Sequence, residues 1–385
     1  MSGSIFGKNF KVATWGESHG KALGAVVDGC PAGISLDEEM IQKYLDRRKP
    51  GQNEFSTMRD EADCVSILSG VFEGKTTGTP ISMIIYNKDQ HSKDYSNIKD
   101  IYRPGHADYG FDKKYGFRDY RGGGRSSGRE TAGRVMAGAV ALSALKELGI
   151  NVTAFTSSLG GVKCDRAAIS KENIFKSPIY MPDLKASGEA EELIKNAKGD
   201  LESLGGSIDC VVTGLPAGLG EPVFDKLDAL LARACMSVGA VKGVEIGAGF
   251  NVANMKGSEN NDNFVASNEA GIKLLEEGRL FDDKGNFISI KKETNNSGGI
   301  LGGISDGDPI YISCAVKPTP SIASEQKTIN RDGEETDIVI KGRHDPVIAP
   351  RAVVVVESMV GITLMDLLMT SATSKFSTLR DVFGN

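Results

Sequence analysis

Residues 103–134, RPGHADYGFDKKYGFRDYRGGGRSSGRETAGR, bring six arginines (Arg103, Arg118, Arg121, Arg125, Arg129 and Arg134), His106 and the glycines Gly122, Gly123 and Gly124 into one window. Arginine is a permanently charged, planar donor that fits phosphate and carboxylate. Glycines lacking side chains let backbone N–H groups approach a ligand. The chain as a whole has formal net charge -6, so the basic window is a local departure. These residue types point to a pocket for a small polyanion.

Other chemistry-bearing residues lie in similar turns. His19 (TWGESHGKALG), His106 (RPGHAD) and His344 (GRHDP) sit among glycines and charges, and His91 lies in DQHSKD. Imidazole changes charge near neutrality, which suits proton transfer. KPTPS at 317–321 is a turn able to wrap a phosphate. Asp345 is a candidate general base, although its residue type alone favours an ion pair with Arg343. No nucleophile elbow, His-Glu-x-x-His helix, Walker A loop or dinucleotide fingerprint is present, and no metal is expected.

The elements that must position these residues read as alternating strands and helices. VATW and LGAVVDG have the β-branched, turn-bounded look of strands. Ser35, Leu36, Asp37 and Glu38 fit a capping box, predicting a helix that stops before Pro50 with Arg47 and Arg48 in its last turn. Cations there also suit the helix dipole, so structural and ligand-binding readings of both arginines stand. VSILSG and TPISMIIYN predict two strands joined by a Gly-containing loop. Ser127, Gly128, Arg129 and Glu130 predict a second capping box, opening a helix that ends near Gly149. The glycine run thus feeds a helix N-terminus, a favourable place for an anion. Further on come a charged helix around 189–198, a strand IDCVVTG, a helix over 224–235, a strand-like VKGVEIGAGF and a short helix over 272–277. AVVVVESMVGITLMDLL from Ala352 reads as a buried strand running into a helix, and its Glu357 and Asp366 argue against a bilayer span.

Composition sets the frame. At 385 residues, 40% hydrophobic and 25% charged, with no linker and no internal repeat, the chain predicts one large α+β domain over 1–385. Glycine, at 47 residues, exceeds its usual share of about 7% and implies many tight turns. The six cysteines are far apart with no Cys-x-x-Cys pair, and MSGSIFGKNF is no signal peptide. These features predict reduced thiols in a cytoplasmic protein without a membrane segment. RGGGRSSGR superficially suggests an RNA-binding Arg-Gly-Gly segment. It occurs once, leads into an apolar helix and sits in an acidic chain, so no nucleic-acid partner is expected.

Seven motifs in order, GESHG (16–20), RRKPG (47–51), RPGHAD (103–108), RDYRGGGRSSGRE (118–130), GGILGGISDG (298–307), KPTPSI (317–322) and KGRHDP (341–346), resemble the chorismate synthase family. The likeness runs from residue 7 to about residue 368. It implies a β-α-β sandwich with helices between two antiparallel sheets, assembled as a homotetramer. It also implies a 1,4-anti elimination of phosphate from 5-enolpyruvylshikimate 3-phosphate, giving chorismate, with reduced FMN required but no net redox change.

By this resemblance, Ser18, His19, Arg48, Arg103, Arg129 and Arg343 face the substrate's anionic groups. Arg125, Ser126, Ser127, Gly239, Ala240, Gly302, Lys317, Pro318, Thr319, Pro320, Ser321 and Arg343 match FMN contacts. His106 is implied to set the protonation of the reduced flavin, His19 to protonate the departing phosphate, and Asp345 to assist deprotonation at N5 as a general base. Some relatives carry a basic residue where this chain has Glu54, which weakens an NADPH contact there and leaves only Arg48 for it. The expectation is a monofunctional enzyme for which NADPH is at most an indirect reductant. A flavin-dependent oxidoreductase is the competing class. Arg118, Arg121 and Arg134 have no role under the resemblance.

Overall fold

Two antiparallel five-stranded sheets enclose a layer of long helices in the computed structural model, which describes residues 3–51, 55, 63–87, 99–340 and 345–384. The first sheet has the order β1-β2-β3-β7-β4. Its strands are β1 (Ile5–Phe6), β2 (Lys11–Gly16), β3 (Ala22–Asp28), β4 (Val65–Ile67) and β7 (Ile81–Tyr86), with a small hairpin of β5 (Val71–Phe72) and β6 (Lys75–Thr76) between the last two. The second sheet has the order β11-β14-β10-β8-β9, built from β8 (Asn151–Leu159), β9 (Val162–Lys163), β10 (Gly206–Thr213), β11 (Val241–Ile246) and β14 (Ile310–Val316). Hairpins β12 (Ile300–Leu301) with β13 (Ile304–Ser305), and β15 (Gln326–Ile329) with β16 (Glu335–Ile338), lie outside the sheets. This is the α+β sandwich expected.

The helices are α1 (Glu38–Arg48), α2 (Asp108–Tyr115), α3 (Thr131–Glu147), α4 (Leu184–Gly199), α5 (Leu227–Met236), α6 (Gly257–Asn260), α7 (Glu269–Glu276), α8 (Ala349–Ser371) and α9 (Phe376–Phe383). Helix α3 packs on β2 and β3, α8 packs on β8 and β10, and the two helices pack on each other. Their crossing is close because Gly138 of α3 faces Ser358 of α8, where an added Cβ would lie 2.2 Å from the serine Cβ. One apolar core joins the inner faces of both sheets.

Two sequence expectations need correction. Helix α1 is capped by Asp37, whose carboxylate accepts from Met40 N at 2.7 Å, and not by Ser35. A carboxylate cap with Glu38 and Glu39 behind it suits the positive helix N-terminus better than a hydroxyl two residues earlier. The run from Ala352 is helical throughout, because α8 begins at Ala349 with Pro350 in its first turn. Of its most apolar stretch, 83% is buried inside the protein. A helix buried on every side needs no polar face, so its valines mimic a buried strand.

Candidate active site

The inner ends of α1 and α3 meet at one carboxylate. Arg48, in the last turn of α1, donates from Nη1 to Asp63 Oδ2 at 3.2 Å, from Nε to Thr131 Oγ1 at 3.1 Å and from Nη2 to Gly128 O at 2.7 Å. Arg129 donates from Nη1 to Asp63 Oδ1 at 2.7 Å and from Nε to Asn87 Oδ1 at 2.7 Å. Asn87 in turn donates to Glu17 O and Gly20 O, tying the GESHG loop to the arginines. All three charged side chains are buried, so their fields are weakly screened. Ser127 caps the 3-10 turn Gly128–Glu130 that leads into α3 and so places Arg129.

A second group forms around Gly122. Arg103 holds Asp108 in a fork, Nε to Oδ2 at 2.8 Å and Nη2 to Oδ1 at 2.7 Å, and its Nη2 lies 3.5 Å from Gly122 O. Burial raises the Asp108 carboxyl, but Arg103 outweighs this and holds it below the ordinary carboxylate value. A Cβ on Gly122 would lie 2.5 Å from His19 Nδ1, so only glycine allows the imidazole this position. Ser18 Oγ is 3.0 Å from the same nitrogen.

His106 links this group to the KPTPS turn. Its Nδ1 is 3.0 Å from Pro104 O and its Nε2 is 2.8 Å from Ser321 Oγ. Burial first, then the positive charge of Arg103, pushes its pKa below the usual histidine value. Lys317 Nζ donates to Gly105 O at 2.9 Å, its backbone N to Ala240 O at 2.9 Å, and Pro320 packs on Gly105. Pro318 packs on Gly205, and Thr319 O accepts from Ser203 Oγ. Thr319 Oγ1 is buried with no hydrogen-bond partner among the described residues.

The remaining expected residues divide. Asp345 pairs with Arg351, whose Nε donates to Arg48 O at 3.1 Å, so it joins the first group. Arg125 donates to Gly16 O at 3.0 Å and to Thr14 Oγ1 at 2.7 Å, tying its turn to β2, and Ser126 Oγ donates to Gly123 O. Gly239 is open where a side chain would stand. Gly302 is not brought to these residues within the chain. Its hairpin contacts the start of α5, whereas Gly239 and Ala240 follow the end of α5, a helix about 15 Å long. Arg343, His344, Glu54 and His91 lie outside the described residues. Arg118 binds Lys99 O and Ile101 O, exposed Arg121 pairs with half-buried Asp119, and Arg134 holds Glu130 and Ser237, all structural ties.

Sequence reading missed Asp63, Asn87 and Arg351. The first two carry no motif. Arg351 left a faint signal, since a cation in the first turn of a helix opposes the dipole unless something else holds it.

Comparison with known proteins gives a consistent picture. A family model described as chorismate synthase matches residues 10–369. A chorismate synthase from Lachnoclostridium phytofermentans is 59% identical over 383 residues, covering 100% of both chains. One from Methanococcoides burtonii is 52% identical over 374 residues, covering 96% of this chain and 97% of the relative. A solved structure titled as a crystal structure of chorismate synthase superposes with a TM-score of 0.73 at 30% identity, covering 98% of this chain and 97% of the other.

Proposed function

The chain belongs to the chorismate synthase family, and we propose that it eliminates phosphate from 5-enolpyruvylshikimate 3-phosphate to give chorismate, with reduced FMN bound. The observation that carries this reading is the convergence of buried Arg48 and Arg129 on one carboxylate, reached by the GESHG loop through Asn87. Substrate of this class bears one phosphate and two carboxylates, and preorganised guanidiniums suit such groups. Arg103, Ser18 and His19 around Gly122 extend the same anion-binding wall.

The KPTPS turn fits a flavin phosphate and ring edge. Lys317 keeps N–H donors beyond its bond to Gly105, Thr319 has an unused hydroxyl, and Gly239 leaves open space. Ser126, Ser127 and Ala240 complete that proposed cradle, with Arg125 acting through the shape of its turn. When bound, reduced flavin supplies electron density to a substrate losing phosphate, so the reaction is redox-neutral overall. His19 is the proposed acid for the departing phosphate, and Asp345, oriented by Arg351, the proposed proton acceptor. NADPH serves at most to reduce flavin elsewhere, and the working assembly is a homotetramer.

Anaerobic incubation of substrate with chemically reduced FMN, with and without NADPH, tests the reading. One phosphate per chorismate with no NADPH consumed is the expected result. Net NADPH consumption with an organic acceptor would favour an oxidoreductase, and no phosphate release would overturn the proposal.

A further inference from the structure

Both ring nitrogens of His106 are engaged inside the protein. Pro104 O can only accept, so Nδ1 carries the hydrogen in that bond. In the neutral ring, Nε2 is then an acceptor and Ser321 donates its hydroxyl hydrogen to it across 2.8 Å. The ring therefore presents no N–H to a ligand. Protonation reverses the second bond: Nε2–H donates to Ser321 Oγ, and the serine hydrogen is released to turn outward. Ser321 closes the turn formed with Lys317 and Thr319, and it is 9% exposed.

We propose that Ser321 hands over the proton that His106 supplies to an anionic ligand at this turn, the two side chains forming a relay. The inference rests on the reading that the turn holds the flavin. In the step, the Ser321 O–H proton passes to a basic atom of the ligand while the Nε2–H proton passes to Ser321 Oγ. Serine ends as a hydroxyl and histidine as a neutral ring. One proton moves, no electrons are exchanged, and solvent later reprotonates the ring.

The surrounding charges favour such a device. Arg103 and Lys317 oppose the imidazolium, and Asp108, which favours it, is held in a fork by Arg103. Burial first, then these two cations, hold the His106 pKa below its usual value, and a bound anion offsets the cations and favours the protonated ring.

Two measurements on the full-length protein test this. Nitrogen-15 spectra of His106 without cofactor should show the Nδ1–H tautomer, with the Nε2 resonance displaced in Ser321→Ala. An Nε2–H tautomer overturns the relay. Turnover with chemically reduced FMN should fall by about 10²-fold or more in Ser321→Ala and in His106→Ala, and no further in the double variant. Ser321→Thr, which keeps a hydroxyl, should recover at least about tenfold of that loss. FMN affinity in Ser321→Ala should stay within about threefold of wild type, since neutral hydrogen bonds contribute modestly. Wild-type turnover in Ser321→Ala, multiplying losses, or a loss explained by weaker FMN binding each overturns the relay alone. A wild-type protein that releases no phosphate overturns the functional reading and the relay with it.

Discussion

Around Asp63, two guanidiniums face one carboxylate among the described residues, whereas around Lys292 one ammonium faces three carboxylates. Lys292 is fully buried, with Nζ 2.5 Å from Asp306, 3.3 Å from Asp308 and 4.0 Å from Asp262. The acidic excess there is answered locally. Asp308 accepts from Ser289 Oγ and from the N–H groups of Ile290 and Lys291, and Asp262 accepts from Thr294 Oγ1 and the N–H groups of Asn296 and Ser297. Nearby backbone dipoles thus satisfy the carboxylates and tie down the loops before β14. The Asp63 group is assembled instead from α1, the end of β7, and the turn before α3, and it continues into the GESHG loop. Buried charge alone does not mark a site. What separates a structural knot from a ligand wall here is reach: the Lys292 group closes within its own loops, whereas the Asp63 group runs across the elements that carry the glycine-rich motifs.

The largest expected effect tests the structural side. Lys292→Met leaves three carboxylates without their cation and should lower stability by about 3–5 kcal/mol, read as a fall in the unfolding midpoint. Turnover per folded molecule should stay within about threefold. A comparable loss of turnover would erase the contrast between the clusters. Arg129→Ala should do the reverse, lowering kcat/KM by about 10²–10³-fold, the cost of truncating a buried charged contact. An unchanged kcat/KM would remove Arg129 from the ligand wall.

A pH test sharpens the comparison at smaller amplitude. Burial alone would raise the Asp262 carboxyl, but hydrogen bonds from Ser297, Thr294 and Asn296 outweigh it and hold it below the ordinary value. A depressed carboxylate contributes stability above its unfolded pKa of about 3.9, and loses it as pH falls through the lower folded value. Asp262→Asn should therefore cost about 1–3 kcal/mol at pH 7, with the gap to wild type closing below about pH 4. A gap that persists in acid would assign the effect to packing. Smallest of all is Arg121→Ala, a half-exposed pair with Asp119, expected to leave turnover within about threefold. A larger loss would extend the ligand wall along the glycine run.

The same contrast bounds what was legible in the sequence. The cationic side was readable because its residues sit in Gly-rich motifs, where Arg48, Arg103 and Arg129 stand beside His19 and His106. Strands β2, β3, β4 and β7 were readable from their β-branched, turn-bounded runs, and α3 from its apolar run after the Ser127 turn, although Ser127 caps the 3-10 turn before α3 and not the helix itself. Helix α8 was not, since burial on every face removes the amphipathic signal. Lys292 was not, because its neighbours in sequence, Lys291, Glu293 and Thr294, look like a solvated turn and its partners are supplied by tertiary folding. Asp63 was hidden for the same reason. A partner carboxylate needs no motif, only the right place, and its contacts to Arg48 and Arg129 span 15 and 66 positions.

The most direct measurement is calorimetric titration of 5-enolpyruvylshikimate 3-phosphate, with oxidised FMN present to prevent turnover, into wild type, Arg48→Ala, Arg129→Ala and Lys292→Met. The expected result is a Kd weakened by about 10²-fold or more in each arginine variant, with the folded Lys292→Met protein binding like wild type. Equal affinities for wild type and both arginine variants would contradict the assignment of this cluster to the substrate's anions.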